Sequence, residues 1–319
     1  MYQPKVSVMI FTYNQEHLIA ETIESVLAQD YKNIEIVVAD DASTDETANV
    51  IRAYERSHPG VVRGIFNETN LGITGNSNAA FFACTGELIA VLGGDDIFLP
   101  GKISAQVELF RDPEVTISYH PVEIFVHQTG EILFTTNTTA REQINDAYDL
   151  IAKGGIPGAS SVMVRRSACP AYGFDPSFPV VADWIFYIEV ALAGKIIELK
   201  GVYGRYRKHG FGASDRTLEL LDESLRTLTV ISGRYPNDRR MQEACMRGGY
   251  RYVLGELYRQ TVKGNAHNIE VLEPYLLKYS RGPKRLFSKL LVMVLRHKIA
   301  TSLVAGPLLG LKNIMKRKI

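Results

Sequence analysis

Two adjacent carboxylates, Asp95 and Asp96, follow an apolar run from Leu88 to Leu92 and a pair of glycines, Gly93 and Gly94. The run suits a buried central strand, and glycines at its end let the backbone turn and approach a ligand closely. Neighbouring acids repel each other unless a cation sits beside them, and hard oxygen ligands of this kind suit Mg2+ or Mn2+. The same residues also serve a polar turn that opens a helix near Gly101, with Asp as a cap. Two more polar clusters end strand-like runs: Thr12-Tyr13-Asn14 after Lys5 to Phe11, and Asp40-Asp41-Ala42-Ser43-Thr44-Asp45 after Ile34 to Ala39. Chain punctuation explains any one of them, but not their common place.

That place follows from the elements. Apolar residues at helical spacing fill 16–29, a second helix spans about 46–56, and Asn70-Leu71-Gly72 opens a third that ends near Cys84. A strand at Val61 to Phe66 lies between the last two. Strands alternating with helices at this spacing predict a parallel, Rossmann-like α/β sheet. Ligands of such sheets bind outside the carboxyl ends of the strands, where all three polar clusters fall. The first strand-to-helix turn has neither the G-x-G-x-x-G of a dinucleotide site nor the G-K-[ST] of a P-loop.

Composition adds bounds. From Pro274 to Ile319 there are 11 Lys or Arg and no Asp or Glu, leaving 25 basic against 35 acidic groups elsewhere in the 319 residues. An acidic body with a basic end argues against nucleic-acid binding. Cys84, Cys169 and Cys245 have neither metal-ligand nor disulfide-framework spacing, as expected of a reducing, cytoplasmic setting. The N-terminus reads directly into a strand, and no stretch of ~20 apolar residues predicts a membrane span.

The runs Val6 to Asn14, Val37 to Asp45, Asn70-Leu71-Gly72 and Gly93 to Asp96, in this order and spacing, resemble the GT-A glycosyltransferases of family 2 over about residues 4–215. The resemblance implies an inverting, metal-dependent (Mn2+ or Mg2+) transferase acting on a nucleotide sugar, with a Rossmann-like GT-A sheet and a helical extension. It implies a base and ribose pocket at Thr12, Tyr13, Asn14 and Glu16. Asp40 would accept from a uracil imide, Asp41 and Ser43 would shape that loop, and Asn70, Gly72 and Asn76 would complete the nucleotide site. Asp45 reads as a cap of the next helix. Asp95 would hold the metal that bridges the diphosphate, with Asp96 near the sugar or the metal. The family's Asp-x-Asp begins at position 93, which here is Gly93. Asp183 matches the family's general base at a helix start, although the usual preceding Glu is Ala182; its alternative is a helix cap. The run Tyr206-Arg207-Lys208-His209, with Ser214, resembles the element that closes the site, so Arg207 and His209 would reach the diphosphate and His209 the metal.

The expected domains are 1–215, catalytic, and 216–319, helical. The second ends in a basic amphipathic segment with Leu286, Phe287, Leu290, Leu291, Val294 and Leu295 on one face and Arg285, Lys289 and Arg296 on another, and an apolar patch at 303–311. Two readings stand for it: an anchor on the anionic inner face of the cell membrane, or a helix packed on the catalytic domain or a second copy. The acceptor is expected to be a glycan or a lipid-linked glycan, as in bacterial surface polysaccharide synthesis. The rival readings are a sugar nucleotidyltransferase, which lacks its basic glycine-rich loop here, and a non-catalytic nucleotide-binding relative.

Overall fold

A computed structural model describes residues 2–139, 143–209 and 217–296. They divide into two compact units, one of 2–138, 143–147 and 155–209, the other of 139, 148–154 and 217–296.

The first unit is built on a seven-stranded sheet. Its strands are β1 (Val6–Thr12), β2 (Ile34–Asp40), β3 (Val62–Phe66), β4 (Leu88–Gly93), β6 (Val115–Tyr119), β9 (Met163–Arg165) and β10 (Lys195–Glu198), in the order β10-β6-β9-β4-β1-β2-β3. All neighbours are parallel except β9, which runs antiparallel to both β4 and β6. The helices α1 (Ile19–Leu27), α2 (Thr47–Ser57), α3 (Gly72–Ala83), α4 (Lys102–Leu109) and α6 (Ala182–Leu192) connect or flank these strands. The β-branched runs of β1, β2 and β4 are buried on both faces, as central parallel strands require. Ile19, Ile23 and Val26 of α1 and Ile51 of α2 join the same core.

The register sets the working edge. Thr12 stands opposite Asp40, and Phe11 opposite Gly93, so the carboxyl ends of β1, β2 and β4 lie side by side.

A second sheet, β5-β11-β7-β8, contains β5 (Ile97–Phe98), β7 (Glu123–Val126), β8 (Ile132–Thr135) and β11 (Gly204–Lys208). β5 pairs antiparallel with β11, Ile97 opposite Arg205. That pairing carries the chain after the Asp pair against the chain that leads to His209. The spacing pattern of 202–209 gave no strand there, because its partners, β5 and β7, are distant in the chain.

The second unit is helical: α5 (Ala147–Lys153), α7 (Thr217–Arg234), α8 (Arg239–Val262), α9 (Ala266–Lys278) and α10 (Pro283–Arg296). Leu221, Leu225, Leu228 and Ile231 of α7 bury their stripe with Met241, Cys245, Val253 and Leu257 of α8. Asp238 caps α8 by accepting from the Met241 amide at 3.0 Å. Residues 148–154 group here and not with 1–215. Tyr148 donates to Asp238 at 2.9 Å, and an added Cβ at Gly248 would meet the Ile151 carbonyl, so only glycine admits α5 so closely. The face expected on α10 is also revised. Val292 and Leu295 are buried, whereas Leu286, Phe287, Leu290, Met293 and Val294 are exposed. Among the described residues, no helix is long and apolar enough to cross a membrane. Ser214 and the 303–311 patch lie outside the described residues.

Candidate active site

The turns after β1 and β2 are stitched together. Asn14, at a positive φ of 50°, donates its amide to Ser43 Oγ at 2.8 Å and accepts from the Thr44 amide on Oδ1 at 2.8 Å. Asn tolerates this conformation because its side chain bonds locally. Ser43 donates its hydroxyl to Asp40 Oδ1 and its amide to Asp40 Oδ2. Glu16 accepts from the Glu46 amide at 2.8 Å and donates its own amide to Asp45 at 3.1 Å. Asp45 also accepts from the Thr47 amide at 3.0 Å, at the start of α2. Asp40 is buried, and this burial raises its pKa above the usual carboxylate value. Each of its oxygens has a second lone pair, so it keeps acceptor capacity. Tyr13 is 46% exposed beside these loops and offers an aromatic face.

Asp41 turns the other way. Its Oδ1 accepts from Asn67 Nδ2 at 3.0 Å and from the Leu71 amide at 2.8 Å, and so shapes the entry to α3. Asn70 Oδ1 accepts from the Gly72 amide at 3.1 Å, and Gly72 itself sits at φ +74°, where a side chain would be strained. Asn76 has a structural role. It is buried, its amide donates to the carbonyls of Thr12 and Ala39 at 3.1 Å each, and its Oδ1 accepts from Asn67. It clamps β1 to β2 through both amide hydrogens.

The Asp pair is held from three sides. Thr22 of α1 donates to the carbonyls of Gly94 and Asp96 at 3.0 and 2.9 Å. The Gly94 amide donates to Phe11 O at 3.0 Å. A Cβ at Gly94 would lie 2.7 Å from both Cβ and Oγ1 of Thr12 and would also meet Gln15, so only glycine fits. Gly94→Ala should lower stability by about 1–3 kcal/mol, seen as a fall in Tm; an unchanged Tm would show that the Thr12–Gln15 turn yields freely. A Cβ at Gly93 would lie 2.9 Å from Asp95 Oδ1 and 3.7 Å from Asp96 Oδ2. The carboxylate that the family carries at this position would therefore face the same space.

Arg207 holds the third side. Its amide donates to Asp96 Oδ1 at 3.0 Å and its Nε to Asp95 O at 2.6 Å. Its Nη2 pairs with Glu21 at 2.6 Å, its Nη1 meets His127 Nδ1 at 3.0 Å, and the guanidinium lies over the Phe125 ring. The residue is buried and each of its three nitrogens makes one of these contacts, so Arg207 fixes the Asp95-Asp96 backbone while each Nη keeps a second N–H. Asp96 is buried too. Burial, then the charge of Asp95, push its carboxyl well above the usual range, against the Arg207 amide and cation. Asp96 thus braces the site from beneath, and Asp95 is the member of the pair that faces outward.

Asp95 Oδ2 lies 2.8 Å from His209 Nε2, and both side chains are partly exposed. Adjacent ligands on an octahedral Mg2+ or Mn2+ at about 2.1 Å stand about 3 Å apart, so the pair fits two neighbouring coordination positions. Among the described residues no third His, Cys, Asp or Glu completes a protein-only cage. Such sparse ligation suits an ion that shares its shell with substrate phosphates and water.

Asp183 is exposed in the first turn of α6. The chain just before it is tied to the sheet's carboxyl edge, because Thr74 in the first turn of α3 donates to Phe178 O at 2.6 Å. The positive end of α6 favours the ionised carboxylate. Sequence reasoning missed Thr22, Glu21 and His127, which position the site without touching its open face. Thr22 left one trace, a hydroxyl on the apolar face of α1 between Ile19 and Val26.

Comparison with known proteins bears on the family and the fold. The glycosyl transferase family 2 model matches residues 7–169. An uncharacterized protein of Mycobacterium tuberculosis is 34% identical over 212 residues, 65% of this chain and 60% of its own length, so the chain spans less than two thirds of that relative. The Escherichia coli UDP-Glc:alpha-D-GlcNAc-diphosphoundecaprenol beta-1,3-glucosyltransferase WfaP is 30% identical over 225 residues, 69% of this chain and 84% of WfaP. Among solved structures, the Pyrobaculum calidifontis mannosyltransferase PcManGT, in complex with GDP-Man and Mn2+, superposes with a TM-score of 0.63 at 17% identity, covering 99% of this chain and 81% of that one. Residues 1–349 of S. aureus TarS, in complex with UDP, give a TM-score of 0.56 at 15% identity, covering 95% and 92%. With the family model across the sheet and its Asp95 edge, and the GT-A architecture shared with these structures, the chain belongs to glycosyl transferase family 2.

Proposed function

We propose that the protein transfers a sugar from a uridine diphosphate sugar to a lipid-linked glycan acceptor, with inversion at the anomeric carbon. The observation that carries the reading is Asp95 and His209, 2.8 Å apart, at the carboxyl edge beside the interlocked Asn14–Ser43–Asp40 turns. These turns offer Tyr13 as a stacking face and Asp40 as the acceptor for a uracil imide. Asp95 and His209 would hold the divalent ion, which offsets charge on the departing diphosphate when bound. Asp183 takes the proton of the attacking acceptor hydroxyl, as a carboxylate held ionised at a helix start can. The attack comes from the face opposite the leaving group, through a transition state with oxocarbenium character. The lipid-linked acceptor is suggested by relatives such as WfaP, named for a diphosphoundecaprenol substrate. The helical unit, with its basic end, would keep the enzyme at the membrane that carries such an acceptor.

Calorimetry tests the donor side. UDP should bind more tightly with Mn2+ than with EDTA, and more tightly than GDP. Equal affinity in Mn2+ and EDTA would remove the ion from the reading, and tighter binding of GDP would remove the uracil assignment.

A further inference from the structure

The helical unit contains a cavity of about 660 Å³ between α7, α8, the end of α9 and the start of α10. Five cationic side chains line it, Arg239, Arg247, Lys278, Arg281 and Lys284, against one carboxylate, Glu243. Glu243 pairs with Arg239 at 3.2 Å. Among the described residues the other four have no carboxylate partner; Lys278 and Lys284 lie only against the rings of Tyr279 and Tyr250. All four are exposed, so water screens them from one another, and an anion entering among them would meet several donors at once. Arg forks and Lys ammonium groups in one cavity suit the several oxygens of a phosphate.

What lies next to the cavity identifies the kind of phosphate. From Lys284 the chain enters α10, which buries Ser288, Val292 and Leu295 on the helical unit and exposes Leu286, Phe287, Leu290, Met293 and Val294. These five recur at helical spacing and form one apolar stripe that starts within a turn of the cavity. Arg285 and Lys289 flank it, both exposed. A free phosphate would use the cations and leave the stripe in water. A lipid uses both, its head group among the cations and its chains against the stripe.

We propose that this cavity is a binding site for the phosphate head group of a membrane lipid, with the exposed face of α10 lying in the bilayer surface. The site rests on the membrane reading of the helical unit but goes beyond it, because Arg247 of α8 lies outside the basic tail. The test is co-sedimentation of the full chain with vesicles of phosphatidylcholine alone, with phosphatidic acid, or with oleic acid as a carboxylate of like charge. The wild type should pellet best with phosphatidic acid. Arg247→Gln combined with Lys284→Gln should keep the wild-type Tm and lose that preference. Each charge is worth roughly five-fold in partitioning, so the pair costs about 25-fold. Phe287→Ser with Leu290→Ser should weaken binding to every vesicle and keep the preference. If the charge variant pellets with phosphatidic acid as well as the wild type, the cavity is not the site, although the membrane reading survives. If the wild type pellets with no vesicle, both fall; a rise in its Tm with inorganic pyrophosphate would then make the cavity a site for a free anion. If Phe287→Ser with Leu290→Ser lowers Tm sharply and leaves pelleting unchanged, the stripe is covered by protein, and the lipid assignment is overturned.

Discussion

Asp95→Asn should lower sugar transfer roughly 10²–10³-fold, the loss typical of removing one preorganised charge from a site where charge develops. It should also abolish the gain in UDP affinity given by Mn2+. Asparagine is close to isosteric and can still meet His209 Nε2, now 2.8 Å from Asp95 Oδ2. The surrounding backbone does not depend on the carboxylate. Arg207 Nε holds the Asp95 carbonyl at 2.6 Å, and Thr22 holds the carbonyls on either side. The variant should therefore keep its Tm, and the loss can be read as lost charge. The deciding comparison is calorimetric: UDP affinity with Mn2+ and with EDTA, in the wild type and in Asp95→Asn. If Mn2+ still strengthens binding to the variant as much as to the wild type, Asp95 is not a ligand of the ion. Asp96→Asn is a poor substitute for this experiment. Asp96 is buried beneath the site, and its change would disturb the Arg207 amide and the packing with it.

The parts of this site that were legible in the sequence are those in which local pattern and function coincide. Strands β1, β2 and β4 are continuous β-branched or apolar runs, so their ends could be located, and with them Thr12, Asp40 and Asp95. What was not legible depends on partners distant in the chain. The run 204–208 reads as a basic, aromatic segment, and its strand character comes from pairing with the two residues of β5 and with β7. Without that pairing Arg207 looks like a free cation; with it, each of its nitrogens meets one partner, Asp95, His127 or Glu21. Asn76 shows the same limit. At the start of a helix after a polar turn it reads as a ligand, yet the adjacent carbonyls of β1 and β2 need a donor, and Asn76 supplies it. The helix α5 was hidden in a polar, glycine-rich stretch, and its place with the helical unit depends on Tyr148, Ile151 and the glycine at 248.

Asp183→Asn should lower kcat roughly 10²–10⁴-fold, the cost of removing a general base, while UDP affinity with Mn2+ stays near the wild-type value. The separation follows from where the residue sits. Asp183 is exposed in the first turn of α6, on a different element from the nucleotide turns after β1 and β2 and from the Asp95–His209 pair. The Thr74–Phe178 bond, which ties the approach to α6 to the start of α3, uses neither end of the carboxylate. Asparagine keeps the shape and loses the proton acceptor. Its loss from the first turn of the helix costs only about 0.3–1 kcal/mol of favourable charge–dipole interaction, so a Tm close to the wild type is expected. A residue acting only as a helix-start charge would give the reverse pattern, with a small fall in Tm and an unchanged rate. The pH dependence of kcat provides a second readout. In the wild type the rate should fall as pH drops through the pKa of the base, since the protonated carboxyl accepts nothing; in Asp183→Asn that acidic limb should disappear. Wild-type turnover with the acidic limb intact would leave Asp183 as a helix-start residue and require another base for the acceptor hydroxyl.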